Sequence, residues 1–294
     1  MTLLQLETFF HISTLGSLAA AAERMCATQS AVSMRVRELE RALGVDLLDR
    51  THRTARLTLK GRELMEYASR ILELSAELES RVSAPEATSG TVRFGAAEVV
   101  TTTWLPELIR VISERFPNVR LEIEEGLTAE LMEELHKGEL ELVLAPGHLR
   151  MQGLATLSLG RVDFMWMASP SLGLEDRVYS ASEVAAYPII GMKPQSFHYS
   201  AIENWFQTEH VRGRYLARCK SLAVAASMTV AGMGLSYLAA LCYSDDIGQG
   251  RLRVVRVDRP IEPVQFVAAL PLGQTYSLAR AVSELASEVS SFPK

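Results

Sequence analysis

The sequence has few cysteines and no long apolar run. Its 294 residues include three cysteines, Cys26, Cys219 and Cys242, an odd number without Cys-x-x-Cys or Cys/His ligand spacing. This pattern excludes a disulfide framework and a zinc site of ordinary spacing, and it fits a reducing cytoplasm. No stretch reaches the roughly 18 uncharged apolar residues of a membrane span, and the first residues lack the features of a signal peptide. We therefore predict a cytoplasmic protein without a membrane segment.

Recognisable catalytic motifs are absent as well. The sequence contains no Gly-x-Ser-x-Gly elbow, phosphate-binding loop, dinucleotide fingerprint or His-Glu-x-x-His motif. Its six histidines show no metal-ligand spacing. We expect a protein with no catalytic residues, no metal site and no cofactor.

Lysine is scarce, and basic charge is concentrated near the N-terminus. The chain has 5 lysines against 25 arginines and a net charge of −5, so its overall charge does not indicate a nucleic-acid partner. Residues 24–62 nevertheless hold nine basic and four acidic residues, a local charge of +5. Arginine suits bidentate contacts with phosphate and guanine, although a GC-rich genome produces the same excess. The distribution favours a basic patch in an otherwise acidic protein.

The first 60 residues show the pattern of three short helices followed by a hairpin. Apolar residues recur at helical spacing up to Gly16, which ends the first helix. Ser17 and Thr28 are candidate N-caps of the second and third helices, and the third covers residues 29–43 and ends at Gly44. The short connection between the second and third helices predicts a helix-turn-helix.

The third helix has two distinct faces. On a wheel of about 100° per residue, Val32, Val36, Leu39 and Leu43 form one stripe, the predicted buried face. Small polar residues in the first turn let a helix approach DNA base edges, and arginines farther along reach guanine or phosphate. An ordinary solvated helix face has the same pattern. The candidate DNA contacts here are Thr28, Gln29, Ser30, Ser33, Met34 and Arg37.

Two short extended runs follow the third helix, with three arginines around the bend between them. Arg50 and Arg53 are candidate contacts to the phosphate backbone or the neighbouring minor groove, where such a hairpin acts as a wing. His52 fits a turn or a phosphate contact better than a metal site, because no second ligand lies at a suitable spacing.

The first 62 residues also contain a long ordered set of motif residues. They are Phe9, Gly16-Ser17, Ala21-Ala22, Gln29-Ser30-Ala31-Val32-Ser33, Leu39-Glu40, Leu43-Gly44-Val45, Leu47-Leu48, Arg50, Leu57-Thr58 and Gly61. This set resembles the N-terminal signature of the LysR-type transcriptional regulators. Two positions depart from the family pattern: Met34 stands where many members carry a polar or basic residue, and Arg35 replaces a frequent glutamine. Both departures concern the preferred base sequence and leave the fold unchanged.

Residues 58–84 form the next unit, a long amphipathic helix with Thr58 as its cap. Its apolar residues repeat at spacings of four and three, a heptad seam that Tyr67 and Leu74 widen. Such a seam packs either onto its own domain or against a second copy of the chain. The resemblance implies the second arrangement, a homodimer through residues 59–84 with antiparallel linker helices. The seam residues are Leu64, Ala68, Ile71, Ser75, Leu78 and Val82.

From residue 91 the sequence alternates between strands and helices, including a helix predicted over residues 102–116. This alternation predicts a parallel sheet with helices on both faces. The resemblance implies two lobes, the second inserted in the first, as in periplasmic binding proteins. The expected fold class is α+β overall, with an N-terminal winged helix-turn-helix, a long linker helix and a C-terminal two-lobed α/β effector domain. The expected boundaries are 1–58, 59–89 and 90–294, with lobe I at about 90–161 and 267–294 and lobe II at about 162–266.

The cleft between the lobes is the predicted ligand site, because ligands of open α/β sheets bind beyond the carboxyl ends of the strands. Threonines at helix starts can hold a ligand carboxylate, although each is equally explained as a helix cap. Glu98 in the same layer repels an anion and favours an amine, so the charge of the ligand stays open. The candidate effector contacts are Glu98, Val99, Thr101, Thr102 and Thr128, with Ser196, Phe197 and His198 from a loop that the resemblance places over the ligand.

Together these features predict a ligand-responsive transcriptional regulator that binds promoter DNA as a dimer or tetramer. The expected partners are double-stranded promoter DNA, a small-molecule effector, further copies of the chain and RNA polymerase. The alternative is a small-molecule-binding module whose N-terminal region only oligomerises, and the basic hairpin argues against it. An enzyme would require a site that no motif indicates.

Overall fold

The N-terminal part of the chain forms three short helices, a two-stranded hairpin and one long helix. The structure is a computed structural model that describes residues 1–49, 56–82, 89–151, 153–271 and 277–294. The N-terminal elements are α1 (Leu3–Leu15), α2 (Leu18–Arg24), α3 (Gln29–Leu43), β1 (Leu48–Asp49), β2 (Arg56–Leu57) and α4 (Leu59–Val82).

The N-caps predicted for α2, α3 and α4 are confirmed. The hydroxyl of Ser17 accepts from the Ala20 amide at 3.1 Å, and Thr28 and Thr58 cap α3 and α4 in the same way. Gly44 ends α3 with φ 69°, in the left-handed region that glycine enters without a steric penalty. Serine, threonine and glycine therefore determine these helix ends locally.

The hairpin is fixed to the start of α4 by close backbone packing. The Thr58 amide donates to the Leu47 carbonyl at 3.0 Å, and the Thr58 hydroxyl donates to the Asp46 carbonyl at 2.8 Å. At Gly61 a β-carbon would overlap the Leu47 carbonyl oxygen. Glycine is thus required at this position for the hairpin and α4 to approach each other.

The C-terminal part continues with two groups of strands and helices. Its first group is β3 (Ser89–Ala96), α5 (Glu98–Thr101), α6 (Leu105–Arg115), β4 (Asn118–Glu125), α7 (Thr128–Lys137), β5 (Leu142–Pro146) and β6 (Leu154–Val162). The second group is β7 (Phe164–Ala168), α8 (Ala181–Ala185), β8 (Pro188–Met192), α9 (His198–Gln207), β9 (Arg214–Cys219), α10 (Leu222–Val230), β10 (Ser236–Ala239), α11 (Ser244–Gly248) and β11 (Arg253–Val254). The chain ends with β12 (Val264–Pro271) and α12 (Ser277–Val289).

Lobe I is built on a five-stranded sheet in the order β4-β3-β5-β12-β6. Strand β3 is parallel to β4 and β5, whereas β12 is antiparallel to both β5 and β6. The prediction of a parallel sheet is therefore wrong for β12, which enters the sheet from lobe II and runs in the opposite direction to the other four strands. Strand β6, which the alternation did not indicate, forms the edge beside β12.

The helix predicted over residues 102–116 begins later than expected, at Leu105, and a separate short helix, α5, lies before it. Thr102 is the C-cap of the short α5, and α6 begins at Leu105 with Pro106 in its first turn. Proline is favoured there because its missing N–H is one that a helix start leaves unpaired. Because of the break between α5 and α6, Thr102 lies at the end of a helix and not at a helix start, where it was predicted.

Lobe II contains strands β7 to β11 around an aromatic core. Strand β7 lies between β10 and β11, and β8 pairs in parallel with β9. A bridge between Ile189 and Leu235 joins the two groups of strands. Trp166 and Phe206 are buried in this core. The chain passes between the lobes twice, from β6 to β7 and from β11 to β12, which makes lobe II an insertion in lobe I.

Candidate DNA-binding surface and ligand cleft

The start of α3 presents polar side chains to solvent. The Thr28 hydroxyl accepts from the Ala31 amide at 3.2 Å and lies 2.9 Å from the Ser30 hydroxyl. Gln29 and Ser30 are exposed in the first turn, and no acidic residue lies there. Amide groups at a helix start attract anions such as phosphate when no carboxylate occupies them.

The rest of the predicted contact face of α3 is also accessible. Met34 is 56% exposed, Arg37 is exposed and Ser33 is half-buried on the same side. The structure thus brings the six predicted residues of α3 and its cap to one surface. Arg50 and Arg53, the predicted backbone contacts of the hairpin, lie outside the described residues.

The buried face of α3 differs from the prediction at its last position. Val32, Val36 and Leu39 are buried, but Leu43 is 40% exposed because α3 ends directly after it. Glu40 takes the fourth buried position with 7% exposure.

The buried Glu40 carboxylate holds the first strand of the hairpin. Its Oε1 accepts from the Leu47 amide at 3.0 Å and from the Leu48 amide at 3.3 Å. Both amides are buried and would otherwise lack a partner on this side. The sequence signal for this role was an acidic residue at the edge of an apolar stripe, in the motif pair Leu39-Glu40.

The seam of α4 divides into two parts. Leu64, Ala68 and Ile71 pack against the helix-turn-helix core of the same chain. Farther along, Leu74 and Leu78 are 64% and 63% exposed, and Tyr67 on the same stripe is 57% exposed. The intramolecular arrangement is thus found in the first half of the seam. In the second half, no element among the described residues covers the exposed leucines.

The cleft between the lobes lies at the carboxyl ends of β3, β4 and β5. It has a volume of about 300 Å³. Apolar side chains, among them Val99, Met192 and Phe266, form much of its wall. Six of the predicted effector contacts line it: Glu98, Val99, Thr128, Ser196, Phe197 and His198.

The two remaining predicted contacts, Thr101 and Thr102, do not line this cleft. The Thr101 hydroxyl donates to Glu125 Oε2 at 2.7 Å, and the Thr102 hydroxyl donates to the Glu98 carbonyl at 2.8 Å. Thr102 lines a different and more open cavity of about 630 Å³, beside Cys242. The physical reason is the break after α5, which places Thr102 at a helix end and not at a helix start.

Glu98 crosses the cleft and binds the start of α10. Its Oε1 accepts from the Ser221 hydroxyl at 2.9 Å and from the Ala223 amide at 2.7 Å, and its Oε2 accepts from the Leu222 amide at 2.5 Å. These donors belong to lobe II, whereas Glu98 begins α5 in lobe I. The Glu98 carboxylate therefore occupies the N-terminal end of α10, where a helix binds anions. Glu98 thus has its partners within the protein and does not need the amine of a ligand, the partner considered from the sequence.

A second ion pair crosses the cleft beside Glu98. Lys220 Nζ of lobe II lies 2.8 Å from Glu130 Oε2 of α7 in lobe I. The hydrogen bond from Lys220 holds the pKa of Glu130 below its usual range. The Ala129 amide also donates to the Gln195 carbonyl of lobe II at 3.4 Å. Sequence reasoning missed Lys220 and Ser221, because their partners lie about a hundred residues earlier in the chain.

His198 contributes a buried imidazole to the cleft wall. Its Nε2 is buried without a hydrogen-bond partner, and its ring lies 3.9 Å from the Phe164 ring, centroid to centroid. Burial lowers the pKa of His198 to about 4, so the imidazole is neutral at pH 7. A neutral imidazole offers one donor and one acceptor to a polar ligand group.

The described residues contain no cluster of three or more His, Cys, Asp or Glu side chains that could hold a metal ion. Within the same part of the chain, no helix is both long enough and apolar enough to cross a membrane. Burial raises the pKa of both the Cys219 and Cys242 thiols, so neither is activated as a thiolate.

Two family descriptions cover nearly the whole chain. Residues 3–62 match the bacterial regulatory helix-turn-helix proteins of the lysR family, and residues 85–290 match the LysR substrate binding domain. The chain belongs to the LysR family. As a LysR-type transcriptional regulator it combines a helix-turn-helix DNA-binding domain with an effector-binding domain. The family is one of regulators and not of enzymes, in agreement with the prediction from the missing motifs.

Individual relatives agree with this assignment. The chain is 29% identical over 252 residues to the HTH-type transcriptional regulator CrgA of Neisseria meningitidis, covering 84% of this chain and 83% of the relative. It is 27% identical over 235 residues to the HTH-type transcriptional regulator YofA of Bacillus velezensis, covering 80% of each. Among solved structures, full-length CbnR in complex with its target DNA has a TM-score of 0.53 at 21% identity, covering 99% of this LysR-type chain and 100% of CbnR. This likeness concerns the fold.

Proposed function

We propose that this LysR-type regulator binds promoter DNA by inserting α3 into a major groove. Thr28, Gln29, Ser30, Ser33, Met34 and Arg37 contact base edges or nearby phosphates, while Arg50 and Arg53 hold the backbone. The observation that carries this proposal is the division of α3 into a buried apolar face and an accessible polar face whose first turn lacks acidic residues. The local charge of +5 over residues 24–62 supports it.

We infer that the chain pairs as a homodimer through residues 59–84 and assembles further into a homotetramer through its effector domains. The stripe of Tyr67, Leu74 and Leu78 supports pairing, because large apolar side chains exposed in a row on one helix gain free energy by packing against a second copy. The proposed domain boundaries are 1–58, 59–89 and 90–294. RNA polymerase is a further proposed partner.

We propose that a small-molecule effector binds in the cleft between the lobes and shifts their relative orientation, which changes the spacing of paired DNA-binding domains. The shape of the cleft, its apolar wall and the unpartnered Nε2 of His198 support this proposal. The cytoplasm is the proposed location, since that is where a regulator meets both metabolites and promoter DNA.

The DNA proposal is tested with the full chain and genomic DNA fragments. Fragments selected by the wild-type protein are labelled, and binding is measured by fluorescence anisotropy at several salt concentrations. Arg37→Ala is expected to weaken the selected site about 5- to 150-fold, equivalent to about 1–3 kcal/mol, with a smaller effect on unrelated DNA. Arg53→Ala is expected to weaken all sequences alike and to reduce the salt dependence.

Arg110→Ala is the matched control, because Arg110 is an exposed arginine of the effector domain paired with Glu107 and Glu114. Equal binding by the Arg37, Arg53 and Arg110 variants would overturn the assignment. If the wild-type chain binds no DNA at low salt, the alternative of a ligand-binding module whose N-terminal region only oligomerises replaces the proposal.

The dimer is tested by sedimentation equilibrium. Replacing Leu74 and Leu78 with Asp is expected to raise the dimer dissociation constant at least 100-fold, because each leucine is worth about 1.5–3 kcal/mol when buried and occurs twice in a symmetric pair. Arg70→Ala, at an exposed position of the same helix, serves as the control. Unchanged association of the double variant would show that α4 is not the interface.

A further inference from the structure

Glu98 is bound as a ligand by the opposite lobe. Its carboxylate receives three hydrogen bonds, from the Ser221 hydroxyl and from the Leu222 and Ala223 amides. These are the groups with which a helix start binds an external anion, and here the protein supplies the anion from a position more than 120 residues away. The carboxylate thus occupies the anion-binding end of the cleft and connects the lobes.

The other charged groups of the cleft each have a partner in the protein, although the exposed Glu125 has only a neutral one. Lys220 lies 2.8 Å from Glu130, and Glu125 accepts a hydrogen bond from Thr101. An entering carboxylate therefore finds the start of α10 occupied and no unpaired cation among the described lining residues, and it meets the negative charge of Glu98 itself. An entering amine finds both oxygens of Glu98 already bound.

The groups that remain without a protein partner are uncharged. Nε2 of His198 is buried and unpaired, and the hydroxyls of Thr128 and Ser196 make no hydrogen bond within the described residues. Around them the cleft wall is apolar, with Val99, Met192 and Phe266 among its members. Such a lining suits a ligand with an apolar body and one or two neutral hydrogen-bonding groups.

We propose that Glu98 is a tethered carboxylate ligand that fills the anion site at the start of α10, so that the wild-type cleft binds an uncharged effector and excludes small carboxylates. Loss of the Glu98 side chain then exposes a carboxylate site at α10. This inference rests on the proposed effector cleft for the class of effector, whereas the role of Glu98 at α10 is testable without any natural effector.

The first experiment uses acetate as a substitute for the missing side chain. Thermal unfolding of the full-length Glu98→Ala protein is followed in 100 mM sodium acetate and in 100 mM sodium chloride. Acetate is expected to raise the unfolding midpoint of this variant by about 2–4 °C relative to chloride, since it binds only the folded site. The wild type and Glu125→Ala, which lacks another carboxylate of the same cleft, are expected to show no difference between the salts.

Glu98→Gln keeps the size of the side chain and serves as the second variant. It places an amide donor against the backbone donors of α10, so a lower unfolding midpoint than wild type is expected, without rescue by acetate because the amide fills the site. A wild-type midpoint for Glu98→Gln, or an acetate response in Glu98→Ala equal to that of wild type, would overturn the role of Glu98.

The second experiment compares small carboxylic acids with their primary amides, acetate and acetamide being the smallest pair. Compounds that stabilise the wild type are expected to be amides, and Glu98→Ala is expected to bind the matching acids at least 10-fold more tightly than wild type does. Preferential binding of acids by wild type would overturn the proposed effector class. If no compound binds the wild type while acetate still raises the unfolding midpoint of Glu98→Ala, the assigned role of Glu98 is retained. The cleft is then refuted as the binding site for an uncharged effector.

Discussion

The helix-turn-helix domain and the effector domain differ in how they treat buried polar side chains. Four side-chain atoms of the described residues are buried without a hydrogen-bond partner, Nε1 of Trp104, Nε1 of Trp166, Nε2 of His198 and Oη of Tyr237, and all four belong to the effector domain. In the described part of the helix-turn-helix domain, buried Thr8 donates to the Leu4 carbonyl at 2.6 Å and Glu40 accepts from two amides.

This difference corresponds to what each domain does. A DNA-binding surface must keep a fixed shape, and a core in which each buried polar group is paired has one favoured arrangement. A ligand-binding domain keeps hydrogen-bonding capacity for a molecule that is not part of the chain, at a cost in stability when the ligand is absent. Of the four residues with an unpaired buried atom, His198 is the one that lines the cleft.

The largest expected effect concerns Glu40. Glu40→Ala leaves the buried amides of Leu47 and Leu48 without their acceptor, at about 1–3 kcal/mol for each. We expect the local free energy of unfolding of α3 and β1 to fall by about 2–5 kcal/mol, measured by amide hydrogen exchange of the full chain. Arg41→Ala, on the exposed side of the same turn, is expected to change it by less than about 0.5 kcal/mol. Equal exchange in the two variants would contradict the comparison.

The second prediction concerns the pH dependence that His198 gives to lobe II. Burial depresses the pKa of His198 to about 4 from an ordinary 6.5, so between these values the unfolded chain binds a proton that the folded chain does not. The contribution of the neutral His198 side chain to the free energy of unfolding is therefore fully present above pH 6.5. It is lost as the pH falls toward 4, a change of up to about 3 kcal/mol. Tyr237, packed near the ring, is neutral throughout this range, and burial raises its pKa still farther above it.

Urea unfolding from pH 7 to pH 4 measures this loss. His198→Phe is expected to unfold like wild type at pH 7, because an apolar ring replaces an unpaired one, and to lose less stability at pH 4. His148→Gln, at an exposed position, is the control and is expected to retain the wild-type slope. A wild-type slope in His198→Phe would assign the pH dependence to other groups.

The third prediction tests whether the two glutamates act independently. Glu98→Ala is expected to cost about 1–3 kcal/mol in the effector domain, because Glu98 accepts three hydrogen bonds but is only half-buried. Glu40 and Glu98 lie in different domains, so the double variant is expected to equal the sum of the single variants within about 0.5 kcal/mol. A larger coupling, measured by hydrogen exchange in both domains, would mean that the cleft and the DNA-binding domain stabilise each other without a ligand.

The smallest expected effect concerns Thr128 in the cleft. For a ligand identified by screening, Thr128→Val is expected to weaken affinity by about 0.5–1.5 kcal/mol, several-fold, with no change in ligand-free DNA binding. Calorimetry measures the first quantity and anisotropy the second. Thr102→Val is the control, because Thr102 lines the other cavity. A larger loss of affinity in the control would move the ligand to that cavity.

The helix-turn-helix domain could be predicted closely from the sequence because its determinants are local. Ser17, Thr28 and Thr58 each cap a helix within three residues of themselves, and Gly44 ends α3. The exception was Leu43, which the wheel placed in the core although α3 ends there. A helical wheel treats the helix as if it continued past its last residue. It also places a charged side chain such as that of Glu40 at the surface, although Glu40 is buried here.

The cleft was predicted less completely because its contacts join distant segments. Six of eight candidate residues line it, since helix starts and strand ends have local signals. Thr101 and Thr102 were misplaced by the unpredicted break between α5 and α6. The binding of Glu98 by Ser221 and the pairing of Glu130 with Lys220 depend on how the two lobes meet, and no local pattern encodes that geometry.

The central position of β12 in the lobe I sheet has a consequence for the order of folding during synthesis. Because β12 lies between β5 and β6, the hydrogen bonds of both strands stay incomplete until residues 264–271 have left the ribosome. Lobe II is synthesised before that segment and has the strands of its own sheets by then. We therefore expect lobe I to be the last part of the chain to become protease-resistant on the ribosome, although its first strand is made before any strand of lobe II.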